Sequence, residues 1–187
     1  HSTDAQGYTD AAIAKRVQAG EPEQFGDIVE RYEAKLGRYI RRFVPAGEDA
    51  RDILQDVFMK TYTNLQGFDT NRRFSPWIYR IAHNEMVNFL KRKRPEPFSL
   101  VDLDMLFPHL AAPETAAGPA ERAEMRGLLD RALDRIDLKY REPLTLFYFD
   151  ELDYQAIADV LEIPVATVGV RLRRGRLMLR KFIEPFQ

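Results

Sequence analysis

The sequence predicts an all-α protein built from two small helical domains that are joined by a flexible linker. Three observations predict this class. Almost every periodic apolar segment repeats at helical spacing, and no alternating strand pattern of useful length is present. A proline-rich stretch separates two groups of such segments. The expected boundaries are an N-terminal domain over 1–94, an acidic linker over 95–119 and a C-terminal domain over 120–187.

The first two helices are predicted from apolar spacing and capping residues. Asp10 is a favourable N-cap residue for the first helix, and Gly20 is expected to end it. The second helix is expected to end at Pro45 and Gly47. Its apolar residues recur at helical spacing. They are Phe25, Ile28, Val29, Tyr32, Leu36, Tyr39, Ile40 and Phe43.

A third and a fourth helix complete the predicted N-terminal domain. The third, EDARDILQDVFMKTYTNL, places one apolar stripe over Ile53, Leu54, Val57, Phe58, Tyr62 and Leu65. The segment QGFDTNRRF breaks the period and predicts a loop. In SPWIYRIAHNEMVNFLKRKR, Ser75 is expected to be the N-cap and Pro76 the first helical residue. Beyond the linker, further helices are expected over roughly 120–136, 139–149, 153–161 and 164–183.

The formal net charge of −1 conceals two basic segments separated by an acidic one. Residues 71–94 carry seven Arg or Lys against Glu85 alone, and residues 164–181 carry six against no acid. Residues 95–124 carry six acids against Arg122. Two basic segments predict two contacts with a polyanion, although each segment alone would also fit an ordinary solvated helix face.

Composition and spacing exclude several classes of function. The chain contains no Cys, which rules out disulfides, thiolate catalysis and zinc fingers. His1, His83 and His109 are far apart in sequence, and no Gly-rich phosphate loop is present, so no enzymatic activity, metal or cofactor is expected. No apolar run approaches the roughly 20 residues that span a bilayer, and no signal peptide opens the sequence. We therefore expect a cytoplasmic protein without membrane insertion.

The segment YQAIADVLEIPVATVGVRLRRGR, residues 154–176, predicts a helix-turn-helix. Three residues are expected to connect its two helices, and each helix is expected to have one apolar face. The apolar face of the first helix is Ile157, Ala158 and Leu161, and that of the second is Val165, Val168 and Leu172. The outward side of the second helix is rich in arginine, which can contact guanine edges and phosphates. The motif alone would equally fit a response-regulator output domain or a small repressor.

Three segments in order carry a resemblance to a known family: DARDILQDVFMKTYTNLQGFD, FSPWIYRIAHNEMVNFLKRKRP and LDYQAIADVLEIPVATVGVRLRRGR. The chain resembles bacterial extracytoplasmic-function (ECF, group IV, sigma-70 superfamily) RNA polymerase sigma factors, from about Asp10 to Ile183. The resemblance implies a dissociable specificity subunit with no catalysis of its own. Its first partner would be core RNA polymerase, which it would contact through the clamp helices of the largest subunit and the flap of the second largest. Its other partners would be promoter DNA, both double-stranded and melted, and an anti-sigma factor.

The resemblance also implies three sets of site residues. The polymerase-binding set, on the third helix, is Asp49, Asp52, Gln55 and Asp56. The minus-ten set, in the loop before the fourth helix and along it, is Asn71, Arg72, Arg73, Phe74, Trp77, Arg80, Asn84, Asn88, Lys91 and Arg92. The minus-thirty-five set, in the helix-turn-helix, is Tyr154, Gln155, Ala166, Thr167, Gly169, Val170, Arg171, Arg173, Arg174 and Arg176.

The sequence leaves some assignments open and departs from the family pattern in places. Trp77 fits either a core position or a base-stacking position. Many relatives carry glycine where this chain has Glu151 and Glu162, and serine where it has Asp153. Additional acid beside the reading helix is expected to weaken nonspecific affinity for DNA. A stand-alone helix-turn-helix regulator is the alternative function, and it would bind duplex DNA tightly without polymerase.

Overall fold

The computed structural model describes residues 9–93 and 131–183, and every helix below lies in these ranges. The α-helices are α1 (Asp10–Gln18), α2 (Phe25–Arg41), α3 (Glu48–Asn64), α4 (Phe74–Lys93), α5 (Leu138–Tyr148), α6 (Tyr154–Leu161) and α7 (Val165–Ile183). Short 3-10 turns occupy Pro22–Gln24 and Leu65–Gly67. The described ranges contain no strand, which confirms the all-α prediction. The predicted linker and most of the helix predicted over 120–136 lie outside the described residues.

Helices α1 to α4 form one packed group. Helix α3 packs against both α2 and α4, and α1 packs against α2. The buried face of α2 follows the predicted spacing, with Ile28, Leu36 and Ile40 fully buried. Each such side chain stabilises the fold by about 1.5–3 kcal/mol relative to an exposed position. The amphipathic period therefore determines which face of each helix packs into the apolar core and which face stays exposed to solvent and to partner molecules.

The prediction that Asp10 caps α1 is wrong. Thr9 is the N-cap residue, and its hydroxyl oxygen accepts a hydrogen bond from the Ala12 amide at 3.3 Å. Asp10 is instead the first helical residue, and it is buried between α1 and α2. Its carboxylate lies 2.6 Å from Arg31 Nη1 and accepts a 2.7 Å hydrogen bond from the Tyr32 hydroxyl. An ion pair between helices thus overrides the local capping preference.

The predicted start of α4 is also wrong, by two residues. The helix begins at Phe74, so Ser75 lies inside its first turn and is not the N-cap. Phe74 is 3 % exposed and packs edge-on against Tyr32 and Phe68. Burial of this ring explains the earlier start, because it draws the backbone before Ser75 into the helical conformation.

Tyr62 does not belong to the buried stripe of α3. Its side chain is 46 % exposed, and Thr61 occupies the buried position beside it. The Thr61 hydroxyl is satisfied by a 2.7 Å hydrogen bond to the carbonyl oxygen of Val57, one turn earlier. A threonine can be buried in a helix in this way because its hydroxyl reaches the preceding turn.

Helices α5, α6 and α7 form the second group and contain the predicted helix-turn-helix. Three residues connect α6 to α7, as predicted, and the first of them, Glu162, adopts the left-handed conformation with φ 53°. Val168 and Leu172 are buried against the group, as predicted. Val165 is 39 % exposed, so its assignment to the apolar face is wrong. It is the first residue of α7 and lies beyond the region that α6 covers.

The two groups pack against each other through α4 and α6. Their buried residues belong to one contiguous apolar core that includes Ile78 and Met86 of α4 and Ile157 and Val160 of α6. The structure is therefore two helical domains in direct contact, with the first helix of the helix-turn-helix lying along the most basic helix of the N-terminal domain.

Candidate nucleic-acid and polymerase interfaces

The loop before α4 presents polar side chains to solvent. Asn71, Arg72 and Arg73 are all exposed. Asp69 orders this loop, because one of its carboxylate oxygens accepts hydrogen bonds from the Asn71 amide nitrogen and from Asn71 Nδ2, both at 3.0 Å. The Asn71 side chain is thereby held in a defined direction at the start of the basic surface, which suits recognition of a base edge.

An aromatic cluster supports this loop from below. Trp77 is half-buried, with its ring 4.7 Å from Phe68 and 5.4 Å from Phe74 between centroids. Phe74 is buried beneath it. In this arrangement Phe74 is a core residue and Trp77 is packed against core while retaining some exposure. Both rings therefore support the loop from the protein side.

The remaining minus-ten residues are distributed around α4. Asn84, Asn88, Lys91 and Arg92 are exposed. Arg80 is half-buried, with Nη1 3.7 Å from Glu162 Oε1. The exposed amides and cations form one polar strip that continues toward the C-terminal end of α4. This strip can offer hydrogen bonds to base edges and positive charge to phosphates.

Helix α7 carries the minus-thirty-five residues over a buried apolar base of Val168 and Leu172. Ala166, Val170 and Arg176 are exposed, whereas Thr167, Gly169, Arg171, Arg173 and Arg174 are half-buried. The Nε atom of Arg173 is buried without a hydrogen-bond partner. Burial of this atom shows that the Arg173 side chain is packed against the domain along part of its length.

The start of α6 completes this region. Tyr154 is half-buried and packs edge-on against Phe147, with ring centroids 5.5 Å apart. Gln155 is exposed, and its Nε2 donates a 3.0 Å hydrogen bond to Asp159 on the same helix. Asp153 is the N-cap of α6, and its carboxylate accepts a 2.8 Å hydrogen bond from the Ala156 amide. The helix-turn-helix therefore starts at a firmly capped end.

Helix α3 presents an acidic face. All four predicted polymerase-binding residues, Asp49, Asp52, Gln55 and Asp56, are exposed. Asp49 also pairs with Lys93 Nζ at 2.6 Å. Sequence analysis missed the continuation of this face, where Met59 is 61 % exposed and Tyr62 is also exposed. Their spacing from Asp52 and Gln55, seven residues in both cases, was the available signal, because residues two turns apart share a helix face.

Sequence analysis also missed the polar residues buried between the two domains. The Glu142 side chain of α5 is 4 % exposed, with Oε1 2.6 Å from His83 Nδ1 of α4 and hydrogen-bonded by the Tyr39 hydroxyl of α2. Burial, followed by the Glu142 charge, holds the pKa of Tyr39 well above its usual value. Nothing in the local pattern marks Glu142, because its partners are 59 and 103 residues away.

A cleft of about 710 Å³ lies where the domains meet. One wall contains the loop residues 70–73 and the start of α4, and the other contains residues 149–153. Among the described residues, no group of His, Cys, Asp or Glu is arranged to hold a metal ion. Within the same residues, none of the helices has both the length and the apolar character that a membrane span requires.

Comparison with known proteins places these surfaces in a family. The family model for Sigma-70 region 2 matches residues 28–96, and the model for Sigma-70, region 4, matches residues 126–179. The ECF RNA polymerase sigma factor SigW of Bacillus subtilis is 33% identical over 176 residues, covering 89% of this chain and 92% of the relative. The chain belongs to the ECF RNA polymerase sigma factors. The ECF RNA polymerase sigma-E factor of Escherichia coli is 32% identical over 184 residues, 95% of both chains.

Solved structures agree with the fold of this sigma factor. The structure of CnrH in complex with the cytosolic domain of CnrY is similar with a TM-score of 0.71 and 25% identity, over 95% of this chain and 99% of CnrH. The sigma factor RpoE of Bartonella quintana, solved with the anti-sigma factor NepR, is similar with a TM-score of 0.65 and 18% identity, over 87% of this chain and 98% of that chain. The latter likeness supports the fold alone.

The family match divides the sigma factor at the same point as the helices do. Region 2 begins within α2 and includes α3 and α4, so it contains the acidic face of α3 and the polar strip of α4. Region 4 includes α5, α6 and most of α7, so it contains the helix-turn-helix. The contact between α4 and α6 is therefore a contact between region 2 and region 4.

Proposed function

We propose that this sigma factor binds core RNA polymerase in the cytoplasm and directs it to promoters, as a dissociable specificity subunit without a catalytic step of its own. The acidic face of α3 docks on the clamp helices of the largest polymerase subunit, and region 4 lies near the flap of the second largest. The proposed domain limits are 1–94 and 120–187, with 95–119 as the linker.

One observation supports this proposal most directly: the chain carries two separate basic helices, α4 and α7, which belong to different domains. Promoters of this polymerase system have two elements, so one protein needs two DNA-contacting surfaces to recognise both. A single-site regulator needs only one of them.

The loop before α4 is proposed to open the minus-ten element. Holding a base out of the duplex costs a few kcal/mol of stacking and pairing, which contacts to the base and backbone must offset. Asn71 is ordered by Asp69 and can contact the extruded base, while Arg72 and Arg73 supply charge for the backbone. Asn84 and Asn88 extend the contact along α4, and Lys91 and Arg92 contact phosphates.

Helix α7 is proposed to enter the major groove of the minus-thirty-five element. Val170 is 47 % exposed and can contact a thymine methyl group, and Gly169 allows the helix to approach the bases closely. The arginines at 171, 173, 174 and 176 bind guanine edges or phosphates. The exposed Ala166 and half-buried Thr167 at the helix start complete the groove-facing side.

Regulation by an anti-sigma factor is part of the proposal. CnrH, which this chain resembles over nearly its whole length, was solved with a second protein, the cytosolic domain of CnrY. An inhibitor of comparable kind would have to cover the polymerase-binding or DNA-binding surfaces described above.

The decisive experiment is run-off transcription with core polymerase on a library of candidate promoters. Promoter-specific transcripts that need both the sigma factor and the core enzyme support the proposal. A stand-alone regulator would instead bind duplex promoter fragments tightly without polymerase and would start no transcript when added to core. Mobility-shift measurements on the same fragments, with and without core, separate these two functions.

A further inference from the structure

We propose that region 4 holds this sigma factor in an autoinhibited arrangement, in which Asp153 and Glu162, at the two ends of α6, occupy the guanidinium groups of Arg73 and Arg80 in region 2. The inference rests on the proposed assignment of these two arginines to promoter DNA. It adds an internal competitor, carried by the chain itself, to the inhibition that a separate protein would supply.

The best-formed contact joins the minus-ten loop to the start of the helix-turn-helix. Arg73 Nη1 lies 2.6 Å from Asp153 Oδ2, and Nη2 lies 3.0 Å from Asp153 Oδ1. This two-pronged geometry is also the geometry in which arginine binds a phosphate group. Arg73 therefore cannot contact the DNA backbone in the same way while Asp153 occupies its guanidinium.

A second contact between an arginine of region 2 and a carboxylate of region 4 lies further along α4. Arg80 Nη1 is 3.7 Å from Glu162 Oε1, in the turn between α6 and α7. Between these two pairs, the Tyr79 hydroxyl donates a 2.7 Å hydrogen bond to Asp150. The acids come from region 4 in all three contacts, and the donors come from α4 or the loop before it. Region 4 thus places two carboxylates on arginines that the proposed function assigns to DNA, and the Tyr79–Asp150 contact holds the domains together between them.

A buried polar contact anchors the closed arrangement. Glu142 of α5 lies between the Tyr39 hydroxyl and His83, and Glu142 and Tyr39 are buried in the junction between the domains while His83 is half-buried. Two ring contacts reinforce it: the guanidinium of Arg42 lies 3.4 Å from the centroid of Phe149, and that of Arg141 lies 5.0 Å from the centroid of Phe43. These contacts fix region 4 against region 2, and the exposed acids are thereby held over the basic face.

The cleft at the junction shows what is covered. Residues 70–73 and the first residues of α4 form one wall, and Phe149, Asp150, Glu151, Leu152 and Asp153 form the other. A single strand of DNA that contacts Arg73 from this cleft must therefore displace the Asp153 carboxylate. Because only a fraction of molecules is open, the apparent affinity of the free sigma factor for DNA is reduced by that fraction.

Two substitutions test the exposed contacts without damaging the fold. Asp153→Ser removes the partner of Arg73 and retains a good N-cap residue for α6. Glu162→Gly removes the partner of Arg80 at a position with φ 53°, which glycine adopts more easily than glutamate. Glu151→Gly is the matched control, since Glu151 is an exposed acid of the same segment with φ 55°.

Two measurements on the free, full-length chain follow the separation of the two domains and the exposure of the DNA-binding face. The chain has no native cysteine, so Glu33→Cys and Arg131→Cys, both at exposed positions, accept a donor and an acceptor dye for energy transfer between the domains. Binding is measured with a fluorescein-labelled single-stranded 20-nucleotide DNA. Asp153→Ser and Glu162→Gly should each shift the transfer efficiency in the direction that saturating DNA shifts it in the wild type. Each should also raise DNA affinity about two- to fivefold, while Glu151→Gly leaves both quantities unchanged.

The outcomes separate this inference from the proposed function. Unchanged transfer efficiency and affinity in both variants would overturn the inference, and so would an equal rise in affinity for Glu151→Gly, which would show an effect of net charge alone. A shift in transfer efficiency without a gain in affinity would also overturn it, because the contact would not cover the DNA surface. Arg92→Ala tests the proposed function separately. Arg92 is an exposed cation at the C-terminal end of α4. If Arg92→Ala loses DNA affinity while Asp153→Ser and Glu162→Gly gain none, the minus-ten assignment stands and autoinhibition fails.

Discussion

Gly175 of α7 faces Leu144 of α5 so closely that a Cβ atom at position 175 would lie 2.7 Å from Leu144 Cδ1. The same atom would lie 3.2 Å from the carbonyl oxygen of Tyr140. Only a hydrogen atom fits at this crossing, and the crossing sets the angle at which α7 leaves the domain. The direction of α7, the helix proposed to read DNA, therefore depends on a buried glycine at the crossing with α5.

Replacing Gly175 by alanine should destabilise region 4. Alanine is the better helix former by about 1 kcal/mol, but overpacking costs about 1–3 kcal/mol, so we expect a net loss. Chemical denaturation followed by circular dichroism measures it. Gly169→Ala is the control, because its Cβ would lie 3.7 Å from the nearest atom of Tyr154, an ordinary contact. A stability of Gly175→Ala equal to that of Gly169→Ala would contradict the close crossing.

Leu172→Ala and the arginine variants of α7 should lose promoter choice for different reasons. Leu172 is 1 % exposed, so its truncation should cost about 2–5 kcal/mol through a core cavity and lower the melting temperature. Arg173→Ala or Arg174→Ala should cost roughly 1–3 kcal/mol of DNA discrimination where the arginine contacts a base. Transcription from promoters varied one base pair at a time, beside thermal melts, distinguishes them. Wild-type output and base preference in both arginine variants would exclude α7 as the reader.

Reversing the charge of Asp52 and Asp56 to lysine should weaken binding to core polymerase. Both carboxylates are exposed on α3, so the change leaves the core untouched and should leave the helical circular dichroism signal unchanged. Competition for core enzyme against a labelled sigma factor measures the affinity. The double variant Glu30→Lys and Glu33→Lys, at two exposed acids on α2, is the control with the same change in net charge. Equal affinities of the α3 variant and the wild type would remove this face from the interface.

Acidification from pH 7 to pH 5 should favour the closed arrangement. Burial raises the pKa of Asp150 from 3.8 to about 6, against the opposing hydrogen bond from Tyr79 and the charges of Arg42, Arg38 and Lys35. When the domains separate, the carboxyl group loses this burial and its pKa returns toward the ordinary value. The closed form then binds the proton more tightly, so its stability increases as pH falls and is lost as pH rises through about 6.

The dye pair across the domains measures this pH effect, and Asp150→Asn is the test variant. Its uncharged amide should make energy transfer nearly independent of pH between 5 and 7. The Arg73 hydrogen bond lowers the pKa of Asp153 to about 2, so that contact contributes its stabilisation above pH 4 and does not change in this window. A pH response that persists undiminished in Asp150→Asn would assign it to another group.

The sequence predicted the helices well where amphipathic spacing and three-dimensional packing demand the same residues. The face of α2 and the three-residue turn between α6 and α7 are examples. Prediction was wrong where a distant partner decides the local structure. Asp10 was assigned as a cap because Asp caps helices well in isolation, but Arg31 and Tyr32 draw it into the domain interior. Phe74 similarly begins α4 because its ring is buried.

The solvent exposure of most residues in the candidate surfaces could be predicted, because each surface lies mainly on one helix or one loop, where the sequence order gives the spatial order. Their assignment to DNA and polymerase stays a prediction. The junction between the domains could not. Glu142 and Tyr39 belong to different domains, and neither residue has a neighbour in sequence that indicates the other. The two glutamates at positive φ, Glu151 and Glu162, were likewise visible only as departures from a family pattern, with no indication of their backbone conformation.

The order of synthesis gives the junction a temporal consequence. Region 2 is complete once α4 has been made, whereas Asp153 and Glu162 lie about 60–70 residues later in the chain. At about 5–20 residues per second, the nascent region 2 spends roughly 3–14 s with its basic face uncovered. During that interval a ribosome-bound chain in a bacterial cell has access to polyanions before its own acids exist. Under the proposed autoinhibition, translation speed between residues 94 and 162 thus sets how long each new molecule remains open to premature capture by nucleic acid.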